Sequence, residues 1–272
     1  NDLVYPYIDK FGTEEQKEKW LPKMISGEMI TGLAMTEPSV GSNLAGIQTK
    51  ATKKKNKYIV NGAKTFISNG QNGDLFVTAV RTTKTGMISP DPRWGISMLA
   101  IPSDAPGFAR GRNLDKIGFH SQDTSELFFQ DTEVPVENLI GEKNKGWLYM
   151  MENLQTERIA VAVGSVAAAR GALDITKEYV QTRKIFNKPV AAFQNTKFKL
   201  AECATDVEIG QSFLDDILER HMKGEDLVKE VSMAKYWCSD MQFRVADKCL
   251  QLFGGYGYMK EYPISRHWTD AR

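Results

Sequence analysis

Cysteine, histidine and net charge are all scarce in this chain of 272 residues, and each scarcity closes off a class of function. The three cysteines, Cys203, Cys238 and Cys249, fit neither a CxxC pair nor a zinc-ligand spacing, so they read as reduced thiols of a reducing compartment. The three histidines, His120, His221 and His267, lie too far apart in sequence to pair as metal ligands. A net charge of +1 gives no electrostatic reason to bind nucleic acid or an acidic membrane. No apolar run approaches the ~20 residues of a membrane span, so no transmembrane segment is expected. GxGxxG and P-loop motifs are also absent, which argues against a Rossmann-type nucleotide site. The start, Asn1-Asp2-Leu3, resembles neither a signal peptide nor an initiator and reads as a chain joined part-way along. What remains is an ordinary globular composition, 42% hydrophobic and 25% charged, enough for one large domain or two modest ones.

Along the chain, Thr13-Glu14-Glu15-Gln16 is a capping box, opening a short helix that Pro22 and Gly27 are expected to limit. From Met29 the pattern turns to strands. Tyr58-Ile59-Val60, Asn61-Gly62 and residues 63–67 predict a β-hairpin, because Asn-Gly supplies the positive φ angles of a type I′ turn. Residues 75–80, 95–101 and 126–130 are further strands between Gly, Pro and Asp clusters. The basic run at residues 50–57 falls where a solvated hairpin tip is expected. After Gly141 the texture is helical, over residues 146–183, 190–223 and about 227–253. Asn187-Lys188-Pro189 and Gly254-Gly255 supply the breaks. Long helices with short connections predict an antiparallel bundle.

The stretch Asn153-Leu-Gln-Thr-Glu157-Arg158 leads into residues 159–169, apolar on every side for about three helical turns, the pattern of a buried helix. Glu157 stands at its leading edge. Its neighbours at helical spacing are Asn153, Leu154, Ala160 and Val161, none of them cationic, while Arg158 points roughly 100° away around the helix. A carboxylate in such a setting holds a proton more tightly than one in water, which suits a general base near neutral pH. The plainer alternative is a Glu157 that reaches solvent or a distant arginine.

Other constellations carry two readings each. Residues 33–43, from Leu33 to Asn43, join a strand to a loop of small polar residues, which is either a turn or a cradle of hydroxyls and backbone N–H groups for a polar ring or phosphate. Phe66-Ile67-Ser68 is either packing or an aromatic and a hydroxyl offered to a ligand. The cations of Arg183-Lys184-Ile185-Phe186 either complement the helix macrodipole or bind an anion.

In this order, these pieces resemble the acyl-CoA dehydrogenase family over essentially the whole chain. The matching motifs are Ala34-Met-Thr-Glu-Pro-Ser-Val-Gly-Ser42, Lys64-Thr-Phe-Ile-Ser-Asn-Gly70, Arg183-Lys-Ile-Phe186 and Gln251-Leu-Phe-Gly-Gly-Tyr-Gly257. The last continues into Glu261-Tyr-Pro263 and Asp270-Ala-Arg272. The resemblance implies an α+β fold: the end of an N-terminal helical domain over 1–30, a middle antiparallel β domain over 31–143, and a C-terminal antiparallel four-helix bundle over 144–272. It also implies a chain truncated at both ends and a homotetramer built around FAD.

By the same resemblance, Leu33, Met35, Thr36, Ser42, Phe66, Ile67 and Ser68 match positions that hold the isoalloxazine and pyrophosphate. Arg183, Phe186, Gln194, Gln251, Gly254 and Gly255 match positions that reach the adenine end of a neighbouring subunit's FAD. Ser42, Trp94, Leu148, Gln155, Thr156 and Arg158 match substrate contacts. Most family members carry the catalytic Glu in a Tyr-Glu-Gly segment beyond the position of Arg272. The long-chain and isovaleryl enzymes carry it immediately before the Arg that opens the long helix, and Glu157-Arg158 is similar to that second pattern. The implied reaction is α,β-dehydrogenation of an acyl-CoA, with electrons passed to an electron-transferring flavoprotein, in a mitochondrial matrix or a bacterial cytoplasm. An acyl-CoA oxidase and a non-catalytic scaffold of the same fold are the rival readings.

Overall fold

In the computed structural model, which describes residues 1–272, the Thr13 hydroxyl accepts from Gln16 N at 3.3 Å and Gln16 Oε1 accepts from Thr13 N at 3.0 Å. This is the reciprocal cap the sequence predicts. It opens α2 (Glu14–Ser26), which follows α1 (Tyr5–Phe11). Pro22 lies inside α2 rather than ending it. It sits on the exposed face, where the carbonyl that lacks its partner can turn to water. Gly27, in the left-handed region at φ +80°, is the true stop. The far side of Gln16 donates to the carbonyls of Glu137 and Leu139, at 2.6 and 2.9 Å, and so ties α2 to the sheet.

Eight strands form that sheet: β1 (Thr31–Ala34), β2 (Lys50–Lys54), β3 (Lys57–Ser68), β4 (Leu75–Arg81), β5 (Ile96–Pro102), β6 (Phe108–Asn113), β7 (Thr124–Pro135) and β8 (Leu139–Ile140). Their order is β6-β7-β3-β2-β4-β5-β8, with β1 beside β4. Most pairs are antiparallel, but β1 runs parallel to β4, as does the Lys50–Arg81 bridge, so the sheet is mixed rather than purely antiparallel. β4 has both faces covered, which explains its unbroken apolar sequence. Alternate residues serve two cores. Leu75, Val77 and Ala79 pack with Tyr7, Ile8, Trp20 and Met24 of α1 and α2, while Phe76 and Val80 pack with Val60, Leu99 and Leu127.

The Asn61-Gly62 hairpin is not there. Residues 57–68 are one strand, and Asn61-Gly62 sits at a register shift opposite Asp131. Asn61 and Asp131 bond each other twice, at 3.0 and 2.9 Å, across this bulge. Gly is required for close approach, since a Cβ on Gly62 would lie 2.5 Å from Thr49 Oγ1 and 2.7 Å from its Cα. The hairpin that does form joins β2 to β3 through Lys55 (φ +54°) and Asn56, within the basic run.

The chain divides into two compact units, residues 1–115 with 120–153, and residues 116–119 with 154–272. The second holds most of α3 (Gly146–Thr182), the short ribbon β9 (Lys184–Ile185) and β10 (Lys188–Pro189), then α4 (Gln194–Met222), α5 (Val228–Leu252) and α6 (Pro263–Ala271). Its core takes Ile159, Ala162, Val166, Ala169 and Leu173 from α3, at helical spacing, against Cys203, Val207 and Leu214 of α4 and Ala234, Cys238 and Met241 of α5. The three cysteines are buried and free.

The expectation that α3 is buried all round fails within this chain. Val161 and Val163 are 46% and 40% exposed, because α4 and α5 cover only one side of the helix. The reading of no long apolar segment also needs correction. α3 contains an 18-residue window of mean hydropathy 1.4, long and apolar enough to cross a membrane by length and composition alone. Its packed stripe against α4 and α5 is that of a bundle-core helix.

Candidate active site

The loop after β1 is held by charge. Lys64 has no exposed surface, and its ammonium donates to Met35 O at 2.8 Å and to Glu37 Oε1 at 2.9 Å. Glu37 also accepts from Thr49 N at 2.9 Å and Gln48 N at 2.8 Å. Burial pushes the Glu37 carboxyl up, but the Lys64 charge and the two backbone donors outweigh it and hold the group below its ordinary range. Burial pulls Lys64 down to about 8, against the attraction of Glu37, so both remain charged at neutral pH. Glu37 and Val40 exchange backbone hydrogen bonds of 2.9 and 3.0 Å, closing the turn that leads to Ser42.

These contacts fix Leu33, Met35 and Thr36, all half-buried, while Ser42 is exposed. Thr65 N donates to Thr36 O at 2.9 Å, which brings the Phe66-Ile67-Ser68 segment beside them. β3 leaves its ladder with β7 after Lys64 and rejoins it at Ile67. In that bulge Phe66 takes φ +58°, a left-handed conformation that strains a bulky residue, and its ring is 68% exposed. Ile67 turns the other way, into the core, so only its backbone faces this edge; Ser68 is exposed. An exposed flat apolar ring beside hydroxyls and backbone polar groups is a donor set that fits a flavin ring system.

Trp94 and Leu148 meet in a cleft of about 190 Å³, lined also by Asp91, Arg93, Asn144 and Trp147. Two residues that sequence reasoning missed build it. Asn144, at φ +70°, accepts from the Thr82 and Thr83 hydroxyls at 3.0 and 2.9 Å, while its N–H donates to Ser97 Oγ at 2.8 Å. Arg81 donates to the carbonyls of Ala45 (2.8 Å), Ile47 (2.9 Å), Pro92 (3.2 Å) and Trp94 (3.3 Å), joining the loop after Ser42 to the loop that carries Trp94. The one sequence signal for Arg81 is a cation closing an otherwise apolar strand.

In the helical unit Glu157 is half-buried on α3 and does engage a partner, so the isolation suggested by its helical neighbours does not describe it. Thr156 beside it is also half-buried. Gln155 donates to Asp226 Oδ1 at 3.1 Å and accepts from Leu227 N at 3.3 Å, and Arg158 donates to Ser232 Oγ at 3.2 Å. Both flanking residues therefore brace α3 against the α4–α5 connection and α5.

A second cleft, of about 530 Å³, gathers Arg183, Gln251, Gly254 and Gly255 with Tyr179, Tyr256 and other residues. Tyr179 stacks on Phe253 at 4.0 Å, and the Arg183 guanidinium lies 5.0 Å from the centre of the Tyr256 ring. Gly254 has φ +61°, and a Cβ on it or on Gly255 would touch nothing within 4 Å, so this backbone lies open to a ligand. Phe186 (φ +48°) and Asn187 (φ +60°) form the turn between β9 and β10, with the Phe186 ring 86% exposed. Neither Phe186 nor Gln194, the exposed first residue of α4, lines this cleft.

Family models for the acyl-CoA dehydrogenase N-terminal, middle and C-terminal domains match residues 1–28, 32–132 and 144–272. The chain is 42% identical over 272 residues to a long-chain specific acyl-CoA dehydrogenase, mitochondrial, of Mus musculus, covering 100% of this chain and 63% of that one. It is 39% identical to an acyl-CoA dehydrogenase of Bacillus subtilis (strain 168), over 100% of this chain and 69% of the relative. A crystal structure of acyl-CoA dehydrogenase from Geobacillus kaustophilus superposes with a TM-score of 0.95 at 53% identity, covering 100% of this chain and 70% of that chain. The chain thus spans 63% of the length of the mouse relative. With all three domain models matched in order along this fold, the chain belongs to the acyl-CoA dehydrogenase family.

Proposed function

We propose that the protein binds FAD and oxidises an acyl-CoA thioester to the trans-2-enoyl-CoA, with Glu157 as the base. The observation that carries this reading is the half-buried Glu157 on a helix turn braced from both sides, by Gln155 on Asp226 and Leu227 and by Arg158 on Ser232. A general base is effective when its carboxylate is held in one place and shielded from water.

The α-proton of a thioester is weakly acidic. Glu157 takes that proton onto a carboxylate oxygen, and the C–H electron pair becomes the new carbon–carbon double bond. Bound FAD supplies the acceptor for the β-hydrogen and its electron pair, redox chemistry that side chains cannot perform. Phe66, Thr36 and Ser68 would hold the ring system by their ring and hydroxyls, and Leu33, Met35 and Ile67 mainly by their backbone. Ser42, Trp94, Leu148 and Thr156 take the acyl-CoA. Arg183, Phe186, Gln194, Gln251, Gly254 and Gly255 take the nucleotide end of FAD across a subunit boundary in a homotetramer. The electrons then leave to an electron-transferring flavoprotein.

Anaerobic addition of octanoyl- or palmitoyl-CoA to the FAD-loaded full-length protein is expected to bleach the flavin absorbance. An unchanged spectrum with both substrates would sink the dehydrogenase reading. Rapid reoxidation of the bleached flavin by air would replace it with an oxidase.

A further inference from the structure

The Lys64–Glu37 pair is the most deeply buried charge in the sheet unit, with the two side chains 0% and 4% exposed. Stability alone is a poor reason for it, since burying two charges costs about as much as their attraction returns, and apolar pairs of similar volume often do as well. What an ion pair adds is direction. Lys64 Nζ reaches the carbonyl of Met35 at 2.8 Å, so the segment between β1 and the turn is tied to β3. Glu37 collects the N–H groups of Gln48 and Thr49, at 2.8 and 2.9 Å, tying the same turn to the start of β2. Next along β3, Thr65 N holds Thr36 O at 2.9 Å, within the bulge where Phe66 is strained to φ +58°.

We infer that Lys64 and Glu37 are positioning residues for the flavin: their buried ion pair sets the spacing between the Met35-Thr36 segment and the Phe66-to-Ser68 segment, and thereby the affinity for FAD. The inference rests on the reading that these two segments hold the isoalloxazine. Neither Lys64 nor Glu37 need touch the cofactor. Their side chains are buried while Phe66 and Ser68 are exposed, and they act through the Met35 carbonyl and the backbone of residues 36 and 65. Without the pair, the bulge at residues 65–66 keeps only the Thr65–Thr36 hydrogen bond toward the segment after β1, and strain at Phe66 favours relaxation to a more extended backbone.

The test uses full-length apoprotein titrated with FAD. K64M keeps the length of the side chain and removes its charge and its bonds to Met35 and Glu37; E37Q removes the charge and keeps one acceptor oxygen, for either Gln48 N or Thr49 N. Each variant is expected to raise the FAD dissociation constant by about tenfold, equivalent to about 1.4 kcal/mol. The visible circular dichroism of whatever flavin remains bound should change shape, a readout that a general loss of stability does not move. Two controls, F66A and S68A, address the flavin-contact reading directly. If F66A and S68A weaken FAD while K64M and E37Q stay within twofold of wild type with an unaltered flavin spectrum, the positioning role is wrong and the flavin reading survives. If none of the four changes FAD affinity, the flavin reading itself falls and takes the positioning role with it. Should K64M not fold, E37Q carries the comparison alone, because its amide oxygen still accepts from one of the two backbone N–H groups.

Discussion

Glu157 and Glu37 are two carboxylates removed from bulk water for different ends, and the sequence distinguishes them only in part. Glu157 stands out in the sequence at the leading edge of an apolar helical run, immediately before Arg158. E157Q should lower the rate of anaerobic flavin reduction by at least ~10²–10⁴-fold, as expected for loss of a positioned base, while acyl-CoA affinity stays near wild type. Stopped-flow reduction and spectral titration measure the two separately, and a rate within a few-fold of wild type would move the base elsewhere. Glu37, by contrast, is visible in sequence only as part of a turn, because its partner Lys64 lies 27 positions away and nothing local announces the pairing. Its folded-state carboxyl is held below the ordinary 4.5, so the folded state binds its proton less readily than the unfolded chain does. The stability this contributes is present above that ordinary value and is lost as pH falls through the lower folded one. Melting curves below pH 4.5 should therefore fall more steeply for wild type than for E37Q, and parallel curves would show that Glu37 is not held in this way.

At the scale of elements, strand-like runs between Gly, Pro and Asp clusters located β4, β5 and β7, while the caps and breaks located α2 and the ends of α3 and α5. Asn61-Gly62 was misread because the same dipeptide serves a type I′ turn and a bulge, and only the pairing partner decides between them. Here the partner is Asp131, 70 residues away. The misreading has a quantitative test in glycine geometry. G62A drives a Cβ to 2.7 Å from the Thr49 Cα, against backbone that is buried and cannot yield, so about 1–3 kcal/mol should be lost. G27A meets nothing within 4 Å and carries only the left-handed strain at φ +80°, about 1 kcal/mol. Urea unfolding should rank G62A below G27A. The reverse order would mean that the β3 bulge relaxes freely. β6 and the two-residue β8 carried no readable pattern, being too short or too exposed for a periodic signal, whereas the nine-residue α6 was passed over although Pro263 marks its first turn.

At the scale of the whole molecule, composition separated the sheet from the helices but said nothing of what their outer faces meet. The helical unit leaves Phe186, Phe198, Met222, Tyr236 and Tyr258 between 59% and 86% exposed, and α3 shows Val161 and Val163 to solvent. Where such side chains form a contiguous patch, the surface is one that meets another chain or segment. The cleft of Arg183, Gly254 and Gly255 lies in the same unit, with open space where a Cβ on either glycine would stand. On the proposed reading, the nucleotide end of FAD would be shared between subunits at this cleft. FAD retention should then depend on association, and R183A should lose FAD on dilution or gel filtration well before wild type does. Sedimentation velocity with flavin and protein absorbance recorded together separates the possibilities. Flavin is expected to travel with an assembled species and to appear free wherever the monomer accumulates, because a monomer presents this cleft without the ligand portion it is shaped to meet. A monomer boundary carrying stoichiometric FAD would place Arg183 and the Gly254-Gly255 backbone on the chain's own cofactor, or outside cofactor binding altogether.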